Sequence, residues 1–476
     1  MLHVGTRPRH GVPWLILVAL AGACSSGGPS MGSATRLDEP EKSAASFSFA
    51  YYTDLVAVGD RVAAAYMTLN GPQDRNVVVR QSEDGGKTWS PQFVLNAPEY
   101  GDTISVAPKL AVEPDGALLV VWQARRNRAG QKFILARRSP DFGKTWGPIQ
   151  VLNSVAQSFP PALATRDDGA VLVVFSDERN VERDIFVNRS ADGGASWLPK
   201  DVAVNPPAKN ESLGPFPVLG TGADAWVVWE EKTRGNPRLL IARSRDGGLS
   251  WGATHRIDPE KQPATPLWPM VVASKGRLVA AWTAGVVGET TRSWLWVSSS
   301  TNGGETWSPP TMFYEGPRQT IFQLVARGSS VYLVWSAGGS EGAAGIYFNA
   351  SDDAGATWRQ PLDQPVRIDD PASKTSSGRP RLALAGDSTV VAVWQEEETR
   401  IGLRVSKDGG RSWPSAPLTV ASAEKNRVRF PVVAATEQAA WVLWEDWADM
   451  TGVRKTLADA NKLTPLDVYV RKVALN

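Results

Sequence analysis

The chain has 476 residues, with 51 Lys and Arg against 49 Asp and Glu, three His and a single Cys. Hydrophobic residues make up 42%, enough to bury a core and too many for a disordered chain. Arg7 and Arg9 are the surplus positive charge, so residues 24–476 are electrically balanced and carry no footprint for nucleic acid.

Residues 1–23 read as an export signal. Arg7 and Arg9 precede an apolar run, Trp14 to Leu20, that is too short to span a bilayer. The run ends in Leu20-Ala21-Gly22-Ala23-Cys24, which resembles a bacterial lipobox, and Cys24 is the only Cys present. The expectation is a lipoprotein whose lipidated first residue is Cys24. Ser25 after it resembles an outer-membrane sorting signal. Residues 24–45, rich in Ser, Gly, Pro and charge, read as the lipidated Cys and a flexible tether. The signal also takes His3 and His10, leaving only His255. A Ser-His-Asp machine or a multi-His zinc site therefore has no basis here. No residue spacing argues for a metal, no phosphate-binding loop is present, and no cofactor is expected.

The remainder, 46–476, is repetitive. Ser82-Glu-Asp84-Gly-Gly86-Lys-Thr88-Trp89 returns with its Trp at 146, 197, 251, 307, 358 and 413, at spacings of 51 to 57 residues. The carboxylate position is Asp84, Asp141, Asp192, Asp246, Asn302, Asp353 and Asp408 in turn. An Asp in a tight turn accepts hydrogen bonds from following backbone N–H groups and from Ser or Thr hydroxyls. Gly supplies positive φ, and the Trp plugs the neighbouring strands. Each copy is a structural rivet. Around it run short strands, as in Pro108–Val112, Ala117–Trp122, Phe133–Arg138 and Ile149–Leu152, joined by turns and without helical periodicity. Second strands end at Tyr66, Trp122, Phe175, Trp229, Trp282, Trp335, Trp394 and Trp444, which makes eight units. The last lacks a turn motif and a fourth strand, which Ser46–Ala50 would supply.

The repeated motif is the Asp box, and the chain resembles the sialidase/BNR-repeat β-propellers. That resemblance implies an all-β fold, one propeller of eight four-stranded blades (alternatively seven), closed by an N-terminal strand. Sialidase catalytic domains have six. The Asp-Gly turns and the boxes would share one face of the disc, and the long variable loops the other. Sialidase chemistry, as the resemblance implies it, needs three convergent Arg, a Tyr nucleophile assisted by Glu, and an Asp acid/base. Arg429-Phe430-Pro431 has the form of the family's first Arg motif, and Arg379 and Arg381 precede it by one unit. Asp177, Glu230, Glu396 and Glu445 follow second strands, and Tyr100 and Tyr314 are the nucleophile candidates, both read as lying in inter-unit loops. Trp268, Trp294, Trp296 and Trp447 remain for stacking on sugars. Two readings follow: a lipid-anchored binding module for glycan or envelope protein, or an exo-α-sialidase-like hydrolase of terminal acidic sugars. A scaffold subunit of an envelope assembly is compatible with the first.

Overall fold

Every regular element among the described residues is a β-strand. The computed structural model describes residues 29–38, 53–71, 74–96, 102–126, 130–207, 210–233, 237–260, 264–285, 292–316, 320–338, 343–361, 364–423, 427–447 and 466–475. Cys24, Ser46–Ala50 and Tyr100 lie outside them.

The strands form six four-stranded sheets and one eight-stranded sheet. The larger sheet is two four-stranded units bridged by one parallel pair, Arg75 with Ile104. The second unit shows the plan: Asp102–Val112, Leu118–Arg126, Gln131–Ser139 and Gln150–Val151, antiparallel in chain order. The second strands are the most apolar, and Trp122, Trp229, Trp282, Trp335 and Trp394 within them are almost completely buried. Contrary to the reading from sequence, the strands do not end at these aromatics but run on past them, to Arg126, Lys232, Gly285, Ala337 and Glu396. Apolar residues point from both faces of each sheet, so the core lies between sheets rather than within one. Val174, Val187, Trp229 and Leu240, from the third and fourth units, share one such cluster. Tyr66 and Val78 of the first unit share another with Trp441 and Leu443 of the last.

The last unit, Arg427–Ala435, Ala439–Trp447 and Leu466–Ala474, takes its fourth strand from Thr35–Arg36, antiparallel to Tyr469–Val470. These residues fall in the segment read from sequence as tether. They repeat the outer edge of the other units in detail. Leu37 N–H donates to Val468 O at 2.7 Å, as Leu95 does to Val77 O and Ile368 to Ile346 O. Asp38 Oδ1 accepts from Val468 N at 2.9 Å, as Asn96 accepts from Val77 N and Asp258 from Leu239 N. A signal for this was present: Arg36-Leu37-Asp38 matches Arg256-Ile257-Asp258 and Arg367-Ile368-Asp369.

The Asp boxes close their turns as expected. Asp353 Oδ1 accepts from Ser351 Oγ at 2.7 Å and Thr357 N at 2.8 Å, and Oδ2 accepts from Thr357 Oγ at 2.6 Å. In the Asn302 box the amide nitrogen instead donates to Thr306 Oγ at 2.9 Å. Boxes and first hairpins share one face: Gly193 N–H donates to Gly169 O and Gly409 N–H to Ser388 O.

These contacts set two expectations for urea unfolding. Leu37→Ala should cost roughly 2–5 kcal/mol, because Leu37 is wholly buried in the cluster between the last and first units. Asp353→Ala should cost about 1–2 kcal/mol, the scale of a lost turn cap. Hydrogen bonds led by that from Thr357 hold the Asp353 carboxyl at about 2. Its contribution is therefore complete above the unfolded value near 4, and should be lost as pH falls from about 4 through 2.

Candidate functional site

Two successive residues follow the buried aromatic of each second strand, still within the strand, and they do different work. The second of the two turns into its own sheet. Asp177, fully buried, accepts from Ser158 Oγ at 2.6 Å and from Arg179 N and Nε at 2.9 and 2.8 Å. Arg179 also binds Asp201 at 2.6 Å. Glu231 is held by Arg238 at 2.6 Å across the strand pair. Glu396 accepts from Trp394 Nε1 at 2.9 Å and Arg400 Nε at 2.6 Å. These carboxylates are satisfied charges that tie strand ends together.

The first residue faces the next unit. Met67 packs on Ala107, Gln123 Nε2 donates to Ser158 O at 2.6 Å, and Gln395 Oε1 accepts from Phe430 N at 3.2 Å. Glu230 sits in this position and accepts from the backbone N–H of Trp268. Burial pushes the Glu230 carboxyl above its usual range, with the Trp268 N–H and Lys232 opposing. Glu445 is also buried and lies opposite Arg429 in the strand register.

What these side chains meet is a recurrent β-bulge. Ala107, Gly214, Trp268, Arg379 and Phe430 each have φ between 52° and 57°. Each lies at a register shift in the first strand of its unit, and each precedes a Pro. A bulge frees a backbone N–H and re-aims a side chain, and a neighbouring acceptor then satisfies that N–H. Arg429-Phe430-Pro431 is thus one of five such bulges among the described residues, and the repeated Pro at the start of a unit was its sequence signal. At Trp268 the residue is 43% exposed, and the backbone N–H freed by its bulge is the one that the Glu230 carboxyl accepts. Trp294 is buried in its sheet and Trp296 packs against the core, while the Trp447 side chain lies outside the described residues.

Two of the three Arg candidates, Arg379 and Arg429, reach across the seam between the seventh and eighth units. The Arg379 guanidinium lies over the Phe430 ring, 4.6 Å from its centre. Arg429 pairs with Glu398, which also takes Arg427 at 3.2 Å. Arg381 donates to Pro380 O at 3.1 Å. Tyr314 lies in an outer strand, Thr311–Gly316, rather than in an inter-unit loop. Its hydroxyl donates to Gly338 O at 2.6 Å, and burial pushes its phenol up. It lines a cavity of about 470 Å³ with Phe313, Trp335 and Tyr347.

Four-stranded sheets in series, seven of eight carrying the Asp box, define the class: an Asp-box β-propeller. The BNR repeat-like domain matches residues 55–262 and 223–413, most of the chain, and the chain belongs to that family. Among solved structures it is similar to an ulvan lyase, of a new polysaccharide lyase family, bound to GlcA(1-4)Rha3S. Identity is 11% and the TM-score 0.50, over 80% of this chain and 96% of that one. A second structure of the ulvan lyase aligns at 10% identity and a TM-score of 0.51, with the same coverage. The phage phi92 endosialidase aligns at 12% identity and a TM-score of 0.44, over 94% of this chain and 69% of its own. At these identities the likeness is one of fold. No curated protein matches the chain.

The two kinds of carboxylate are separable by substitution. Arg400→Ala should cost roughly 1–3 kcal/mol by stranding buried Glu396. Glu230→Gln should leave urea stability within about 0.5 kcal/mol, since Gln395 already fills the equivalent role for Phe430.

Proposed function

We propose that the eight units are the blades of one closed ring, anchored to the outer membrane through lipidated Cys24, and that its loop face binds glycan. Closure is supported by contacts that repeat across the join of last and first units. Trp441 Nε1 donates to Gly85 O at 3.0 Å, as Trp226 Nε1 does to Gly303 O at 2.8 Å between the fourth and fifth. Arg80 Nη1 donates to Leu37 O at 2.6 Å, as Asn188 Nδ2 does to Leu152 O between the third and second.

The observation that carries the glycan reading is the Glu230–Trp268 pair. A large exposed indole covers the apolar face of a sugar ring, while an adjacent carboxyl meets its hydroxyls. Burial keeps that carboxyl closer to its neutral form, which both donates and accepts. The fold shared with a glycan-acting lyase agrees with this reading and does not specify the sugar. The hydrolase reading rests on Arg379 and Arg429 at the last seam, with Arg429 already engaged by Glu398.

The test uses residues 29–476 as a soluble body, on an array of bacterial and host glycans and with a fluorogenic sialoside. Trp268→Ala should weaken glycan binding tenfold or more at unchanged thermal stability. Sialoside turnover abolished by Arg429→Ala would establish the hydrolase instead, and retention of an envelope protein with no glycan bound would favour the protein partner. Cys24→Ser in the full chain should move the protein from the membrane to the soluble fraction.

A further inference from the structure

We propose that the seam between the second and third units is a proton-binding site built on Glu113, tightening when Glu113 is protonated and loosening when it ionises. Glu113 lies on the Asp-box face, away from the loop face, and the inference is independent of the glycan reading.

Glu113 directly follows the first strand of the second unit, Asp102–Val112. Its N–H donates to Ala117 O at 2.9 Å and its carbonyl accepts from Gly116 N at 2.8 Å. The side chain runs against the box of the third unit. A Cβ added at Gly193 would stand 3.2 Å from both Cγ and Oε2 of Glu113. Only 2% of the residue is exposed, yet neither carboxyl oxygen has a hydrogen-bond partner among the described residues. A buried, unpartnered carboxylate is among the costliest groups a seam can hold.

The third and sixth units show what a donor at this position can do. Arg166 occupies the same place in its hairpin, with N–H to Ala170 O and carbonyl to Gly169 N, both at 3.0 Å. Its Nη1 donates across the seam to Gly220 O at 3.0 Å. Arg327 of the sixth unit likewise donates to Leu384 O at 2.7 Å. A donor here thus reaches the carbonyls of the next unit. A carboxylate has none, whereas a carboxylic acid regains one.

The charged neighbours do not relieve the carboxylate. Asp115, two residues on, opposes ionisation. Arg138 favours it, but its Nη2 is taken by Asp115 and its Nε by Gly193 O. From the third unit, Asp192 is engaged by the hydroxyls of Ser190 and Ser196, and Arg166 by Asp168. Burial is the largest influence, Asp115 adds to it, and the carboxyl is pushed up to about 7. An unfolded chain ionises this group near 4.5. Between those values the folded state holds the extra proton, so stability falls as pH rises through the window and levels off above it.

The experiment compares the wild type and Glu113→Gln at pH 5.5 and 8, by urea unfolding and by amide exchange corrected for intrinsic rates. Wild type should unfold at lower urea at pH 8, and the Gly193 amide should lose protection relative to the equivalent Gly409 amide of the seventh unit. Glu113→Gln, neutral and able to donate, should lose most of both responses. Equal pH dependence in the two proteins overturns the proposal. So does a wild-type Gly193 amide that tracks Gly409, a result that stands even if the variant fails to fold.

Discussion

No sheet in this chain buries itself. Each presents apolar side chains on both faces, so each needs a neighbour on either side, and the core consists of seams. Tyr66, Phe175 and the second-strand tryptophans are buried because they sit in those seams. The N-terminal segment obeys the same demand: Leu37 fills the outer edge of the last sheet and packs against the first. The Asp box serves the constraint twice. Its Asp or Asn rigidifies a turn, and the carbonyl of a box glycine then takes a donor from another unit, whether Trp226, Trp441, Arg138 or Arg359.

A scaffold built on seams decides which polar groups are free for function. Carboxylates that turn into their own sheet, Asp177, Glu231 and Glu396, are consumed by Arg partners. Glu230 turns toward the next unit and accepts a backbone N–H freed by a bulge. The same bulge bears the exposed Trp268. Position along the strand, more than residue type, separates structural acid from candidate ligand-binding acid.

The acids also divide by the direction of their shifts. Box aspartates, wrapped in hydroxyls and N–H groups, are held low, with Asp353 and Asp408 at about 2. Glu230 and Glu113 have too few donors for their burial and are pushed up. One group stabilises turns throughout the neutral range. Of the other, Glu113 is placed to respond within it, on the face opposite Glu230.

Local chemistry was legible in the sequence wherever it repeats. Asp, Gly and Trp at fixed offsets disclose the boxes, alternating turns and apolar runs disclose four-stranded units, and Trp122 through Trp444 mark the second strands. These features depend on contacts within a few residues, which any one copy displays. Tertiary structure alone decided the rest. It drew Thr35–Arg36 into the last sheet from a segment that reads as tether, because the repeat of Arg36-Leu37-Asp38 in later units names an outer edge without naming which sheet it joins. It separated Glu230 from Glu396 and Trp268 from Trp294, since burial between two sheets depends on a neighbour that strand periodicity does not reveal. It also left the Glu113 carboxyl without a donor, because that donor had to come from across a seam.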